Sequence, residues 1–197
     1  QMYHNNDCIM MDRNLGATSA SVGDVGALGL LYQWGRKDPF LGASSISETT
    51  KAKSTINWPS AVLSEVTTDY AIANPTTYIK ARYSNSQSWY DTAIEEVLWS
   101  SEKTIYDPCP EGWRVPTYSE LWALRKNHSS WTVNPEGQWG YWFSGPVSYS
   151  TSAPQVFFPA GGFLSSGDGN GRYRNSNGYY WSSMPYGLHA GVLSFSG

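Results

Sequence analysis

Asp107-Pro108-Cys109-Pro110-Glu111-Gly112-Trp113-Arg114-Val115-Pro116-Thr117, running on into Tyr118-Ser119-Glu120, is the stretch on which the fold turns. Its second half is a helix start. In Thr117-Tyr118-Ser119-Glu120 the Thr117 hydroxyl can accept from the Glu120 amide while the Glu120 carboxylate reaches back, which is a capping box. Pro116 fixes the approach to the cap. Leu121, Trp122 and Leu124 follow as the buried face, and Arg125-Lys126 stand where the helix dipole favours cations. Gly112 lets the Trp113 indole pack flat under a sheet. Trp34, Trp113, Trp122 and Trp181 are read as core residues.

Downstream, the chain reads as strands separated by Gly-, Pro- and Asn-rich turns: Gly140–Phe143, Gln155–Phe158, Tyr179–Ser183 and Ala190–Phe195. Upstream, Cys8-Ile9-Met10-Met11 reads as a short buried strand, closed by the polar run Asp12-Arg13-Asn14. Asp12 and Arg13 suit a local salt bridge. Val25 to Arg36 reads as a first helix, with Leu28, Leu31 and Tyr32 on one face and Leu30 and Trp34 repeating the spacing beside them. Gly35 and Asp38-Pro39 stop it. Residues from about 42 to 87 are Ser/Thr-rich and weakly periodic. They read as long loops with a little local structure, anchored by Trp58, Tyr70, Tyr78, Ile79 and Tyr83. Helices early and strands late predict one α+β domain over 1–197, with about 42–87 a loop-rich insertion. A chain of this length can bury roughly 70% of the surface it exposes when unfolded, so its core needs no staple.

Composition narrows the function. Charged residues and aromatic residues each make up 15% of the chain, against about 25% charged in an average domain. Ten Trp and fourteen Tyr exceed what a core of this size needs, so some rings belong at the surface, where they give contact area at low entropic cost. A net charge of −3 and a pI near 5.6, with no Lys/Arg cluster, exclude a nucleic-acid partner. No apolar run is long enough to span a membrane. The first residue is Gln1 and no signal peptide stands ahead of it, so the sequence reads as a mature or excised piece of something longer. Cys8 and Cys109 allow one disulfide or two buried free thiols, with the thiols favoured. Structural zinc usually takes four ligands, so a Cys-based metal site is not expected from two cysteines.

Several phrases together resemble one family. Met11-Asp12-Arg13-Asn14-Leu15-Gly16-Ala17 is similar to its opening strand, Gly29-Leu30-Leu31-Tyr32-Gln33-Trp34-Gly35-Arg36 to its first helix, Asp107 to Thr117 to its central signature, and Tyr180-Trp181-Ser182-Ser183 to its late strand. The family is the FISUMP type (Fibrobacter succinogenes major paralogous domain), found in exported proteins of gut anaerobes and related to the C-type-lectin-like fold. The resemblance implies a C-type-lectin-like α+β fold: two helices, a twisted, mainly antiparallel sheet and long loops. It also implies placement in a surface or fimbrial protein, and no catalysis. Such domains carry a last strand with Ser-Val-Arg-Cys, which this sequence lacks. That strand holds the usual partner of the cysteine at position 109, so its absence counts against a Cys8–Cys109 pair.

A search for chemistry supports a non-enzyme. His4, His128 and His189 stand in separate contexts with no metal-ligand spacing. No Gly-x-Ser-x-Gly elbow or phosphate-cradling glycine loop occurs. Glu95 and Glu96 are adjacent and point apart. The formylglycine-generating oxidase shares the general lectin-like fold, but Cys8 and Cys109 do not reproduce its cysteine pair. The triplets that hold calcium and sugar in calcium-dependent lectins are missing, and Asp168-Gly169-Asn170-Gly171 reads as a plain turn. No cofactor and no metal are expected.

One stretch has the composition of an adaptable binding surface: Arg172, Tyr173, Arg174, Asn175, Ser176, Asn177, Gly178, Tyr179 and Tyr180, continuing to Tyr186 and His189. A polar, Gly-rich hairpin is the other reading. In the end segment Ala190, Leu193 and Phe195 look fixed and inward, while His189, Gly191, Val192, Ser194 and Ser196 look interchangeable. That pattern is similar to lectin-fold proteins diversified by retroelements. The candidate ligand contacts are therefore Arg172, Tyr173, Arg174, Asn175, Asn177, Tyr179, Tyr186, His189, Gly191 and Ser194. The expected function is a secreted or surface-displayed bacterial binding domain, adhesin- or fimbria-associated, taking a glycan or protein receptor on host or bacterial cells. The alternatives are a diversified receptor-binding protein of a cell surface or phage particle, and a structural domain assembling with fimbrial subunits.

Overall fold

The computed structural model describes residues 3–5, 8–40, 67–79, 98–125, 128, 130–133, 137–144, 155–167, 169–186 and 189–197. Along them run β1 (Tyr3–Asn5), β2 (Cys8–Met10), a single 3-10 turn (Val25–Ala27), α1 (Thr68–Ala73), α2 (Tyr118–Arg125) and β3 (Thr132–Val133). Then follow β4 (Trp139–Ser144), β5 (Gln155–Pro159), β6 (Phe163–Leu164), β7 (Gly171–Arg172), β8 (Asn177–Tyr186) and β9 (His189–Ser196). Every strand pairing among them is antiparallel: β1 with β2, β3–β4–β5, β6 with β7, and β8 with β9. Helices and antiparallel sheets make the architecture α+β. No helix of the described residues is long and apolar enough to cross a membrane.

The signature stretch folds by using its polar groups on itself. The Asp107 carboxylate is buried, with Oδ1 accepting from the Cys109 amide at 2.8 Å and from Lys103 Nζ at 3.2 Å, and Oδ2 accepting from the Val115 amide at 2.8 Å. The capping box forms as expected. The Glu120 amide donates to Thr117 Oγ1 at 3.3 Å, and Glu120 Oε2 accepts from the Thr117 amide at 2.6 Å. Arg114 closes on the same carboxylate in bidentate fashion, at 2.9 and 2.7 Å, the geometry in which a guanidinium binds a carboxylate best.

α2 then buries Leu121 and Leu124 against Phe143, Val156, Phe158 and Leu193, with Met10, Tyr141, Tyr180 and Phe195 packed around them. Each fully buried side chain of this kind contributes about 1.5–3 kcal/mol. Trp122 does not share that face. It is 44% exposed, stacked on Tyr118 at 6.0 Å with the Arg125 guanidinium 4.9 Å above its ring. Consecutive helical residues sit about 100° apart, so Leu121, Trp122 and Leu124 cannot all face one core. Trp113 is half-buried beside a cavity of about 760 Å³ that Met10, Met11, Leu124 and Phe157 also line. The strand expected at Cys8 is present, but Ile9 is 47% exposed while Met10 packs on the core, so it is not buried throughout.

The helix expected over 25–36 is not there. Val25–Ala27 makes one 3-10 turn, capped by the Asp24 side chain, and the rest is loop pinned by a bridge between Leu31 and Phe40. Gly29 and Gly35 take φ of +72° and +80°, outside the helical region, and a Cβ on Gly35 would lie 2.7 Å from Leu98. Two polar side chains of that loop act as clamps instead. Gln33 Nε2 donates to the Ile79 carbonyl at 2.8 Å, and Gln33 Oε1 accepts from the Ile79 amide at 3.2 Å. Arg36, 4% exposed, donates to the carbonyls of Ala71, Asn74 and Thr77 at 2.7–3.0 Å and to Gln33 Oε1 at 2.8 Å. Its cation thus sits on the negative end of α1. α1 itself lies in the stretch read as loop with a little local structure, and Tyr78 and Ile79 are buried there as anchors. Trp58, Tyr83, Glu95 and Glu96 lie outside the described residues.

Trp34, Trp99, Val115 and Ala190 form a further core cluster joined by Trp181. Its indoles are hydrogen-bonded: Trp34 to the Ser182 carbonyl at 2.8 Å, Trp99 to Tyr106 at 2.9 Å and Trp181 to Tyr32 at 2.8 Å. A buried indole N–H needs such a partner. The four strands expected after α2 are all present, within β4, β5, β8 and β9.

Candidate ligand-binding face

The β8–β9 ribbon separates its side chains by strand parity. Tyr180, Leu193 and Phe195 turn into the core around Leu121 and Phe143. The alternate cross-strand pairs, Tyr179 with Ser194 and Trp181 with Val192, border a cleft of about 590 Å³. Ala190, on the same side of β9 as Val192, is also buried, at 6%, in the cluster of Trp34, Trp99 and Val115 that Trp181 joins. The register shifts between Trp181 and Pro185, where Ser182, Ser183 and Met184 stand opposite Gly191 alone. The bulge adds two residues to β8, so side-chain parity is the same on either side of it. Gly191 fits because it lacks a side chain, since a Cβ there would meet Ser182 Oγ at 2.5 Å and the Met184 carbonyl at 2.7 Å.

An aromatic ledge rises beside the cleft. Tyr173, 54% exposed, stacks on Phe163 at 5.7 Å, and Phe163 meets Tyr179 edge-on at 4.9 Å. Tyr173 and Asn175 both take left-handed backbone, at φ +55° and +58°. Side chains other than glycine pay for that conformation, and Asn tolerates it best. Asn175 is held in place: its Oδ1 accepts from the Trp139 amide at 2.8 Å and its Nδ2 donates to Gly137 at 3.0 Å. The turn it fixes presents Tyr173.

Placed on this frame, the candidate contacts divide. Tyr173, Tyr179 and Ser194 come together at the ledge and cleft. Arg172, in β7, is half-buried, and Asn177 donates to the Tyr179 hydroxyl at 3.3 Å. Three candidates are corrected. Arg174 is 2% exposed, Gly191 is buried in the bulge, and Asn175 spends its amide on backbone, so none offers an adaptable surface group. Tyr186 and His189 pair at the tip of the ribbon, and their side chains lie outside the described set. Phe163 and the loop wall from Leu28 to Tyr32 belong to the face although the sequence reading passed over them. An apolar pair, Phe163-Leu164, directly before a Ser/Gly turn was the only signal.

Three ionisable groups near the cleft, Cys109, Tyr32 and Tyr180, are shifted toward their neutral forms. Burial pushes the Cys109 thiol up to about 12, with Asp107 beside it adding to the rise; the thiol is free. Burial likewise lifts the Tyr32 phenol to about 12 and raises Tyr180, whose hydroxyl donates to the Pro159 carbonyl at 2.7 Å. A thiol so protonated is a poor nucleophile. Elsewhere Arg13 and Asp12 form the expected surface pair at 2.8 Å, and Arg13's hydrogen bond draws the Asp12 carboxyl down to about 2. Among the described residues no three His, Cys, Asp or Glu side chains are grouped to hold a metal ion. Gly169 and Asn170 close the β6–β7 turn through backbone bonds to Ser165, and Asp168 lies outside the described residues. Comparison with protein-family models, curated proteins and solved structures finds no match.

Proposed function

We propose that this chain is a non-enzymatic binding domain of a secreted or surface-displayed bacterial protein, adhesin- or fimbria-associated, on a C-type-lectin-like fold of the FISUMP type. It engages a glycan or protein receptor through Tyr173 and the outer face of β8–β9. The observation that carries this is the sorting of the ribbon. One face packs around Leu121 and Phe143, while the other carries Trp181 and Ala190 to the Trp34 cluster, lines a cleft and adjoins an exposed tyrosine presented on a left-handed turn. Non-glycine residues in such backbone persist where the surroundings over-determine them, and they cluster at functional sites. Rigid rings beside short hydroxyl groups are the contact chemistry of adaptable paratopes.

The same sorting favours a second reading, a diversified receptor-binding protein. Val192, Ser194 and Ser196 are off the core, so their identities can change without repacking Leu193 or Phe195. Gly191 cannot belong to such a variable set.

A glycan-array and mucin-binding screen of the purified domain, with and without calcium, tests the leading reading. Calcium-independent binding, lost in Tyr173→Ala and Tyr179→Ala variants that keep their melting temperature within a few degrees, is the expected result. Unchanged binding in both variants moves the receptor site away from this face. If no glycan binds, cell-surface protein receptors become the next ligands to screen.

A further inference from the structure

We propose that the cleft along the outer face of β8–β9 is a site for a small, uncharged aromatic molecule, a proposal that rests on that face being the binding surface. No Asp, Glu, Lys, Arg or His borders the cleft among the described residues. An ionic ligand would be desolvated there with no counter-charge from the described walls, which costs far more than burying a neutral ring. The volume of about 590 Å³ falls in the range of small-molecule sites, roughly 300–1,000 Å³.

The polar groups of the walls are largely spent inside the protein. The Trp181 indole donates to Tyr32, Gln33 pairs with Ile79, the Tyr180 hydroxyl donates to Pro159, and Asn14 donates to the Leu28 carbonyl at 3.0 Å. What the walls offer is ring and aliphatic surface from Phe163, Tyr179, Trp181, Val192 and Leu30. The Tyr179 proton and the hydroxyls of Ser166 and Ser194 stand at the border to meet one or two polar atoms. A sugar taken wholly into the cleft, rather than laid against Tyr173 beside it, would bring many hydroxyls and find few partners, each unpaired one costing roughly 1–3 kcal/mol. A flat ring loses little on leaving water and gains edge and face contacts with the wall.

The probes are N-phenylnaphthylamine, a neutral fluorophore that brightens on leaving water, and anilinonaphthalene sulfonate, which has closely similar rings and one added charge. The intact chain is expected to take up one molecule of the neutral probe, and to bind the sulfonate about tenfold or more weakly. Salt should leave the neutral probe's affinity unchanged. Val192→Trp, whose ring would fill the cleft, should weaken the neutral probe by about tenfold or more. Ser194→Trp serves as the second block if circular dichroism shows the first variant misfolded.

Equal affinity for the two probes, no uptake of the neutral one, or uptake unaffected by either folded blocking variant overturns the proposal. Displacement of the neutral probe by free mannose or glucose would also overturn it, in favour of a polyol site. Probe uptake lost in Val192→Trp while glycan or mucin binding persists supports this cleft and places the receptor elsewhere. Receptor binding lost in that variant, with no probe uptake by the parent protein, overturns the aromatic class and leaves the binding face standing.

Discussion

The loop from Asp107 to Glu120 and the outer face of β8–β9 both concentrate functional-group chemistry, and they direct it oppositely. In the loop, carboxylates, guanidinium and hydroxyl close on one another and on nearby amides: Asp107 on Cys109 and Val115, Arg114 on Glu120, Glu120 on Thr117. On the ribbon Ser194, and on the turn before it Tyr173, keep theirs at the surface. A motif rich in charge and cysteine is therefore no guide to where a ligand sits. The loop positions α2 and the Trp34 cluster, and the ribbon is what remains free to meet something.

Breaking the loop should cost most. Asp107→Ala orphans the buried Val115 amide and releases Lys103, and each unsatisfied buried group costs roughly 1–3 kcal/mol, so a loss of about 3 kcal/mol is expected in urea unfolding. A loss within error would mean that the loop holds its shape without its carboxylate, and the contrast with the ribbon would fail. Gly191→Val comes next. Its added carbons collide with Ser182 and the Met184 carbonyl, and overpacking of this kind costs roughly 1–3 kcal/mol. A neutral result would show that the bulge yields, and would return position 191 to the variable set.

A third test uses pH. The Cys109 thiol stands at about 12, against 9 for an ordinary thiol, and the Tyr32 phenol at about 12 against 10. Below pH 9 both groups are protonated in the folded and unfolded chain alike, so their full contribution to stability is present. Above 9 the unfolded chain sheds protons that the folded one keeps, so stability falls with rising pH until about 12. Urea midpoints should therefore be flat to pH 9 and then decline, with a shallower decline in Cys109→Ala. In a Cys8→Ser background the remaining thiol should react slowly with a disulfide reagent until the chain unfolds. Fast reaction in the native state would show an accessible thiolate, contrary to its burial.

Much of this frame was legible because its determinants are local. The capping box is an i to i+3 pattern, and the four late strands announce themselves by alternation between turn residues. The failures share a physical cause. At 25–36 the apolar spacing satisfied a helix, yet Gly29 and Gly35 take left-handed backbone, and a Cβ on either would run into Asn14 and Leu15 or into Leu98. Gln33 and Arg36 bind backbone carbonyls 35–46 residues away, and a carbonyl has no signature in sequence. Arg174 and Asn175 sit in a stretch whose composition suits a surface. The first is buried, and capture of the second by Trp139 and Gly137 depends on residues 36–38 positions distant. In the candidate site the exposed half, Tyr173, Tyr179 and Ser194, was found by residue type. The opposite wall was missed because only folding brings Leu28 to Tyr32 alongside.

The smallest expected effect is the sharpest test of the ribbon's two faces. Ser194 is exposed and stands across from Tyr179, between Leu193 and Phe195, which pack into the core. Ser194→Asn adds a polar group to that outer face and removes nothing from the core, so unfolding free energy should move by no more than about 0.5 kcal/mol. Receptor binding, once a receptor is in hand, should change by far more than stability does. A loss of stability on the scale of a core truncation would mean that Ser194 faces inward and that the register of β9 is displaced by one residue. Every outer-face position would then exchange with its neighbour, and the binding surface argued for β8–β9 would be the core instead.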